Sequence, residues 1–533
     1  MAFFDLLRAP DRVAAYTEPY VGKRATRFDL SDSRLGWQAS GIKLRTVAAA
    51  DSLAITLTAP TKPVLRLHLR WGFGTMEVSP GALFLGDAWE RSYGDLAWRT
   101  MVPERALPWY FAANAGGLTH VYGVRTGAAA FCFWQVDPAG VSLWLDLSNG
   151  GDGVLLGDRE LPVATVIARR GMLGEQPFVA VQSLCKMLCP RPRLSAKPVY
   201  GTNDWYYAYG NNNAAGILRD TDLVATLAPA RGTRPFSVID GGWEGNAGFP
   251  DMAQLAREIR SRDVRPGIWI RPVEAPKSTA ANLLLPAKRF RAPAAHDSEA
   301  AFDPTIPEAR AAILAKVRQA VDWGYELIKH DYSTYDLLGQ WGFEMGVQPT
   351  LPGWHFADQS RTNAEIILDL YKGIRSAAGE KTLLLGCNTV GHLSAGLFEL
   401  QRTGDDTSGR EWDRTRRMGV NTLAYRLPQH RTFFDLDADC VGLTKAIPWS
   451  LNRQWLSLVA RSGTSLFLSP APDAMGPEQK AAIREAFAIA AGGQSTGRAR
   501  DWMAETTPEE WDFPDGAKRF RWSAEDGADP FSM

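Results

Sequence analysis

Two patterns of hydrophobic and polar positions divide the chain. Up to about residue 195, short runs alternate apolar and polar residues with a period of two, which is typical of strands with one buried face. These runs are Leu53–Thr58, Leu65–Trp71, Thr119–Val124, Ala130–Gln135 and Gly140–Leu147. Glycine and proline separate them. The pattern predicts an antiparallel β-sandwich that ends in a helix near Phe178–Leu188 and a linker at Pro190-Arg191-Pro192.

From about residue 196, strands alternate with loops and helices. The predicted strands are Val199–Asp204, Phe236–Trp243, Gly267–Pro272, Tyr325–Asp331, Thr382–Asn388, Leu400–Asp405, Phe433–Val441 and Ser465–Ser469. The strongest helix, Pro307–Trp323, has proline in its first turn and Gly324 after its end. Eight strands over about 270 residues fit a (β/α)8 barrel. A doubly wound sheet alternates similarly, but no glycine-rich dinucleotide fingerprint follows the first strand.

These patterns predict an α/β protein with three parts. They are a sandwich at 1–195, a (β/α)8 barrel at 196–470 and a C-terminal appendage at 471–533. Long irregular segments, Val273–Ile306 and Ser333–Ser360, follow the third and fourth strands, where barrel loops build a substrate pocket. The appendage holds a helix at Pro477–Ala490. Its small β element is predicted from Trp511, Phe513, Phe520 and Trp522.

Composition narrows the function classes. Lys+Arg and Asp+Glu both number 59, so no charge excess favours nucleic acid or an acidic membrane. Five cysteines form neither a disulfide framework for 533 residues nor a zinc pattern. No stretch resembles a signal peptide or a membrane span, so we expect a cytoplasmic protein. The 19 Trp suit sugar stacking and sandwich cores equally.

Two aspartates end predicted barrel strands and are candidate catalytic groups. Asp331 ends the fourth strand and Asp405 ends the sixth. A pair of carboxylates at the mouth of a barrel is the minimum equipment for cleaving a glycosidic bond. Lys329 lies on the same side of its strand as Asp331, and its charge would keep Asp331 ionised. The structural alternative for Asp331 is a capping or ion-paired carboxylate.

The residues around Asp405 leave its role open. The adjacent Asp406 could be the acid instead, or could cap the next helix. Arg402 could orient Asp405, contact a sugar hydroxyl or form a structural ion pair. A metal held by Asp437 and Asp439 is a competing interpretation, but no histidine cluster supports it.

Four short motifs resemble those of clan D α-galactosidases, in glycoside hydrolase families 27 and 36. Asp240-Gly241-Gly242-Trp243 resembles Asp-Asp-Gly-Trp, and Lys329-His330-Asp331 resembles Lys-x-Asp. Asp405-Asp406-Thr407 is similar to Ser-Asp-Asp/Asn-Thr of family 36, and Asp437-Ala438-Asp439 to a stretch on the seventh strand. The motifs keep the family's order over 196–470. The resemblance implies a retaining α-glycosidase with Asp331 as nucleophile, Asp405 as acid/base, and no cofactor or metal.

Residues at the strand ends are predicted to bind a carbohydrate substrate. They are Asp204, Trp205, Asp240, Trp243, Trp269, Lys329, Cys387, Arg402 and Asp406. For the three tryptophans, core packing is the alternative role.

Two departures from the family pattern concern the sugar. Gly241 replaces the second aspartate, which in clan D helps to hold the 4- and 6-hydroxyl groups, and Cys387–His392 replaces the family's stretch around the 2-substituent. Simple α-galactose is therefore in question, and a sugar that lacks or modifies C6 is favoured.

Three functions stay open at this point. The chain could hydrolyse a glycoside, transfer the sugar to another hydroxyl like the raffinose synthases, or bind carbohydrate without catalysis. The presence of both presumed catalytic aspartates argues against the last. The resemblance also leaves a homo-oligomer open, because family 36 relatives are often oligomeric.

Overall fold

The structure is a computed structural model that describes residues 3–19, 25–33, 36–75, 78–292, 299–493 and 496–528. The N-terminal strands are β1 Arg12–Tyr16, β2 Arg27–Ser33, β3 Gly36–Ala39, β4 Ile42–Ala48, β5 Ser52–Ala59, β6 Arg66–Gly72, β7 Leu83–Gly86, β8 Leu107–Pro108, β9 Tyr110–Ala115, β10 Leu118–Val124, β11 Phe131–Asp137, β12 Gly140–Asp146, β13 Ser148–Asn149, β14 Asp152–Gly153 and β15 Gly157–Arg169.

Thirteen of these strands form one antiparallel sheet that folds over on itself. Their order is β7-β9-β10-β15-β5-β4-β3-β2-β1-β6-β12-β11-β8. Phe111 in β9 contacts Trp134 in β11 with ring centroids 5.5 Å apart, although these strands lie near opposite ends of the order. Two layers therefore face each other across a shared core, and the predicted sandwich is confirmed. Alternate residues of β5 are buried, as the period of two predicts.

Eight parallel strands close a barrel after the helix α1, Pro177–Leu188. They are β16 Tyr200–Asn203, β17 Phe236–Ile239, β18 Arg265–Ile270, β19 Leu327–His330, β20 Leu383–Gly386, β21 Leu400–Arg402, β22 Asp435–Leu443 and β23 Ser465–Pro470. Pairing of Gly201 with Phe467 joins the last strand to the first. The predicted (β/α)8 barrel is confirmed.

Helices connect and cover the barrel strands. They are α2 Trp205–Ala208, α3 Ala214–Leu227, α4 Met252–Ser261, α5 Pro307–Asp322, α6 Ser333–Leu338, α7 Asn363–Ala378, α8 Gly391–Ser394, α9 Trp412–Thr415, α10 Thr422–Arg426, α11 Trp449–Ser462 and α12 Pro477–Ala491. A π-helical turn, Arg416–Asn421, joins α9 to α10. The segment predicted as irregular after the fourth strand contains α6. A capping box between Thr362 and Glu365 fixes the start of α7.

A three-stranded sheet completes the described chain. Its strands are β24 Arg498–Ala499, β25 Glu510–Phe513 and β26 Gly516–Arg519. Trp511 and Trp522 are almost fully buried, and the Trp522 carbonyl accepts a hydrogen bond from the Trp412 indole of the barrel. Trp522, one of the aromatic residues predicted for this appendage, thus contacts the barrel, and its ring stacks on that of Trp412. Within the described ranges, no helix combines the length and the apolar character needed to cross a membrane.

Candidate active site

A loop of the sandwich reaches the mouth of the barrel and extends one of its strands. Ser92 donates its backbone N–H to the Thr403 carbonyl at 3.0 Å, and Asp405 donates its own to the Ser92 carbonyl at 2.8 Å. Ser92 therefore pairs with Gly404 as a short parallel bridge. The barrel strand β21 ends at Arg402 instead of at Asp405 as predicted. Thr403 still donates its N–H to the Asp437 carbonyl of β22, but the Thr403 carbonyl and the Asp405 N–H bind Ser92.

The Asp331 carboxylate is held as an anion. Oδ1 accepts backbone N–H groups from Tyr332 at 2.7 Å and Asn388 at 3.0 Å, while Oδ2 accepts the Trp269 indole N–H at 3.0 Å. Burial opposes ionisation, but the charges of Arg91 and Lys329 outweigh it and hold the pKa of Asp331 at about 2. Asp331 is thus an ionised, oriented carboxylate with one lone pair left at Oδ2.

Local backbone geometry fixes the direction of Asp331. Asp331 directly follows β19, and the next residue, Tyr332, has a φ of +62°. A non-glycine residue in this left-handed region costs about 1–3 kcal/mol, which the surrounding structure must supply. The turn brings the Tyr332 N–H back to the Asp331 carboxylate.

Lys329 and Asp240 form a buried ion pair beside Asp331. The Lys329 ammonium lies 2.7 Å from Oδ2 of Asp240, which also accepts the Asn203 side-chain amide at 2.6 Å. Beneath them, Asp204 accepts the Asp240 backbone N–H at 2.7 Å. Burial, and then the charge of Asp240, raise the pKa of Asp204 to about 7. The carboxyl ends of the parallel strands β16, β17 and β19 thus supply a compact polar cluster.

The adjacent residues Asp405 and Asp406 have different surroundings. Both oxygens of Asp405 are ion-paired, Oδ1 with Arg91 and Oδ2 with Arg414, each at 2.8 Å. Burial raises the pKa of Asp405, but these two guanidinium groups outweigh it and lower the pKa. Asp406 contacts Arg402 at 3.3 Å and Arg91 at 3.7 Å, both at Oδ1. Shielding from solvent raises the pKa of Asp406 despite these charges.

These groups surround a cavity of about 290 Å³ at the carboxyl ends of the strands. The predicted residues that line it are Trp205, Asp240, Trp269, Lys329, Asp331 and Asp406. Three other predicted residues, Asp204, Cys387 and Arg402, are buried beneath it. Trp243 is half-buried and donates its indole N–H to the Trp269 carbonyl, so it supports a lining residue. Asp405 lies among the arginines beside the cavity and is not among its lining residues.

Cys387 and Arg402 belong to a buried layer under the cavity. The Arg402 side chain has no exposure and lies 2.9 Å from Asp439, which is also buried. Arg402 and Arg91 approach the Cys387 sulfur at 3.3 and 3.7 Å. These contacts make Arg402 a structural ion-pair partner as well as a neighbour of Asp406.

Sequence reasoning missed four charged or aromatic lining residues: Arg91, Arg271, Glu274 and Tyr332. Arg271 directly follows β18 and Tyr332 lies one residue beyond Asp331, so both positions are close to the strand-end signal that marked Asp331. Arg91 carried no such signal, because it lies in a sandwich loop far away in the sequence. Arg271 is ion-paired with Asp336 at 2.5 Å and stacks over Tyr332 at 4.3 Å from the ring centroid.

The burial of Glu90, next to Arg91, leads us to expect that the stability of the folded protein depends on pH. Glu90 is fully buried against Tyr93, the Gly342 N–H and the Asn388 amide, and burial raises its pKa to about 7 although Arg91 opposes the shift. A carboxyl whose pKa is higher in the folded protein than in the unfolded chain stabilises the folded state at pH values below the unfolded pKa. For Glu90 this stabilisation is lost as the pH rises through the folded pKa of about 7. We expect wild-type stability to fall between pH 5 and 8, by up to about 3 kcal/mol from this group.

Urea unfolding of wild type and Glu90→Gln at pH 5 and 8 measures this effect. The glutamine variant should show a shallower loss of stability over the same range, because its side chain does not titrate. Parallel profiles for the two proteins would contradict the assignment. Asp204 titrates in the same window and remains in both proteins, so it cancels in the comparison.

The similarity of this chain to known proteins lies in its fold. No protein-family model and no curated protein matches the sequence. Among solved structures, TtGalA, an α-galactosidase from Thermus thermophilus in complex with p-nitrophenyl α-D-galactopyranoside, has a TM-score of 0.61 at 18% identity, covering 90% of this chain and 99% of that chain. AgaA, a GH36 α-galactosidase from Geobacillus stearothermophilus in complex with 1-deoxygalactonojirimycin, has a TM-score of 0.57 at 12% identity, with 95% and 80% covered.

The galactosidase domain of AgaSK gives a similar result, with a TM-score of 0.58 at 14% identity and 91% and 73% covered. The chain therefore has the fold of the family 36 α-galactosidases, and the likeness covers most of its length.

Proposed function

We propose that this protein is a retaining α-glycosidase that acts on an α-linked, galactose-type or related pyranoside. One observation carries the proposal: the ionised Asp331 shares a cavity of sugar size with a second acidic side chain, Asp406. A fixed nucleophilic carboxylate beside a second carboxyl is the arrangement that double-displacement glycosidases need. The likeness of fold to α-galactosidases supports the same class.

The chemistry follows from the contacts of Asp331. Its Oδ1 is engaged by two backbone N–H groups, so Oδ2 is the atom proposed to attack the anomeric carbon. As the glycosidic bond breaks, a carboxyl of the pair Asp405 and Asp406 gives its proton to the leaving oxygen. The resulting glycosyl ester on Asp331 is then hydrolysed by a water that returns a proton to the same carboxylate.

The walls of the cavity suggest how the sugar is recognised. Lys329 and Asp240 offer a charged donor and acceptor for sugar hydroxyl groups, and the indoles of Trp205 and Trp269 flank Gly241. A glycine here leaves open the space that an aspartate side chain would fill. We propose that the preferred sugar lacks a hydroxyl at this position or places a larger substituent there.

A panel of 4-nitrophenyl glycosides tests the function. It comprises the α-galactoside, α-N-acetylgalactosaminide, β-L-arabinopyranoside, α-glucoside and α-galacturonide. Release of nitrophenol from one sugar, with first-formed product of retained configuration by NMR, is the expected result. Inverted product would contradict the retaining mechanism, and release from none would favour a non-catalytic carbohydrate-binding protein.

The substitution Gly241→Asp should raise kcat/KM for the aryl α-galactoside by about 10- to 100-fold. This fold-change corresponds to the free energy of one charge-assisted hydrogen bond. A Cβ at this position would lie 3.6 Å from the Trp269 ring and 3.8 Å from the Trp205 ring, which are ordinary contacts. A Cβ is therefore accommodated here without displacing the backbone. Steady-state kinetics on the panel measure the change.

Gly241→Ala is the matched control, because it fills the same space without a carboxylate. It should not improve galactoside hydrolysis. Equal gains in both variants would show that packing, and not recognition of a hydroxyl, limits the reaction.

A further inference from the structure

Asp405 is bound in a way that suits a permanent anion. Arg91 from the sandwich and Arg414 from α9 each take one of its oxygens at 2.8 Å, and its backbone N–H is tied to Ser92. A proton on Asp405 would have to displace one of two buried or half-buried guanidinium groups. Charge-assisted pairs of this kind favour the ionised carboxylate strongly. Asp405 is therefore poorly suited to deliver a proton to a substrate.

Asp406 has the opposite properties. It lines the cavity with Asp331, and its side chain is 37% exposed compared with 17% for Asp405. Its two ion-pair contacts are long and involve only Oδ1. Within the described residues, Oδ2 makes no hydrogen bond or ion pair, so it can carry a proton toward the cavity.

We propose that Asp406 is the proton donor and acceptor of the reaction, and that Asp405 is an ionised positioning residue that holds Arg91 at the cavity wall. This inference rests on the proposed glycosidase function. It differs from the role that the motif resemblance implies for Asp405, because the sandwich loop occupies that carboxylate.

The proton balance of both half-reactions is complete with Asp406. In the first, the Asp406 proton moves to the glycosidic oxygen as the C1–O bond breaks and Asp331 bonds to C1, which releases the aglycone alcohol. The charges of Arg402 and Arg91 then stabilise the new Asp406 carboxylate, while the charges of Asp439 and Asp405 oppose its ionisation. In the second, Asp406 takes a proton from water, the water oxygen bonds to C1, and the Asp331 carboxylate leaves.

Two isosteric variants, Asp405→Asn and Asp406→Asn, separate the roles. For the sugar that wild type cleaves best in the panel, the test uses the methyl glycoside, the 2,4-dinitrophenyl glycoside and sodium azide. Asp406→Asn should cleave the methyl glycoside about 10²- to 10⁴-fold more slowly, because its leaving group needs the proton. Bond cleavage in the dinitrophenyl glycoside should persist, since that leaving group needs none. Azide should then accelerate turnover and give a glycosyl azide of retained configuration.

Asp405→Asn should slow both substrates by a similar factor and gain nothing from azide. Azide product of retained configuration from Asp405→Asn, or from neither variant, would overturn the inference while leaving the glycosidase function standing. Wild type that cleaves no glycoside of the panel would overturn the function and the inference together. If an asparagine variant lacks the native circular dichroism spectrum, the corresponding serine variant answers the same question.

Discussion

Replacing Asp331 with alanine should lower kcat on the best aryl glycoside by at least about 10⁴-fold, the scale expected when a covalent nucleophile is lost. The reason lies in the site: the carboxylate is ionised, and three hydrogen bonds fix its direction toward the cavity. Phenol release under saturating substrate measures the loss.

Azide gives this prediction a positive readout. In Asp331→Ala a small anion can enter on the side of the missing carboxylate, so the glycosyl azide should have inverted configuration, opposite to that expected from the Asp406 variant. Asp322→Ala, which removes a carboxylate at the end of α5, should keep wild-type activity. Substantial activity in Asp331→Ala without azide would exclude Asp331 as the nucleophile.

Replacing Arg402 with methionine should destabilise the protein by about 3–5 kcal/mol. Arg402 has no exposed side-chain surface, and its partner Asp439 is only 3% exposed. Burial raises the pKa of Asp439, but Arg402 and then Lys329 outweigh it and lower the pKa, so the carboxylate depends on Arg402 to stay ionised. Removing the cation leaves a buried negative charge without its main partner. Urea unfolding at pH 7 measures the free energy.

Arg45→Met is the matched control, because Arg45 also pairs with a carboxylate, that of Glu160, at 2.6 Å, but the two side chains are 58% and 50% exposed. An exposed pair contributes about 0–1 kcal/mol, so this variant should stay near wild type. A similar loss in both variants would mean that burial does not determine the strength of the Arg402 pair. Recovery of stability by Arg402→Met at acidic pH, where Asp439 becomes neutral, would support the view that the unpaired Asp439 charge causes the loss.

The polar residues that directly end strands were predictable from the sequence. Lys329 and Asp331 lie on one side of a strand whose pattern is buried and short, and Asp240 follows a similar strand. Parallel strands of a closed barrel bring their carboxyl ends to one rim, so these residues had to meet. The structure places all three at the same cavity. Trp205 and Trp269 reach it for the same reason.

Residues beyond the strand ends were not predictable in this way. The sequence suggested that β21 continues to Asp405, but the strand ends at Arg402 and the chain pairs with Ser92 instead. The alternation that fixes side-chain direction in a strand therefore does not apply to Asp405 and Asp406. Which of them faces the cavity was decided by arginines from two other segments.

The sequence by itself determined the sandwich, the barrel and the strand-end cluster around Asp331, because hydrophobic periodicity and strand order are local properties. Only the tertiary structure decided that Arg91 of the sandwich lines the cavity and that the neighbouring Glu90 packs against the barrel. Glu90 meets Asn388 across 298 residues, and Arg91 meets both Asp405 and Asp406. No local pattern encodes such contacts, since they arise where the sandwich packs against the barrel. That packing places Arg91 closer to Asp405 than to Asp406 and so gives the two carboxylates different electrostatic surroundings.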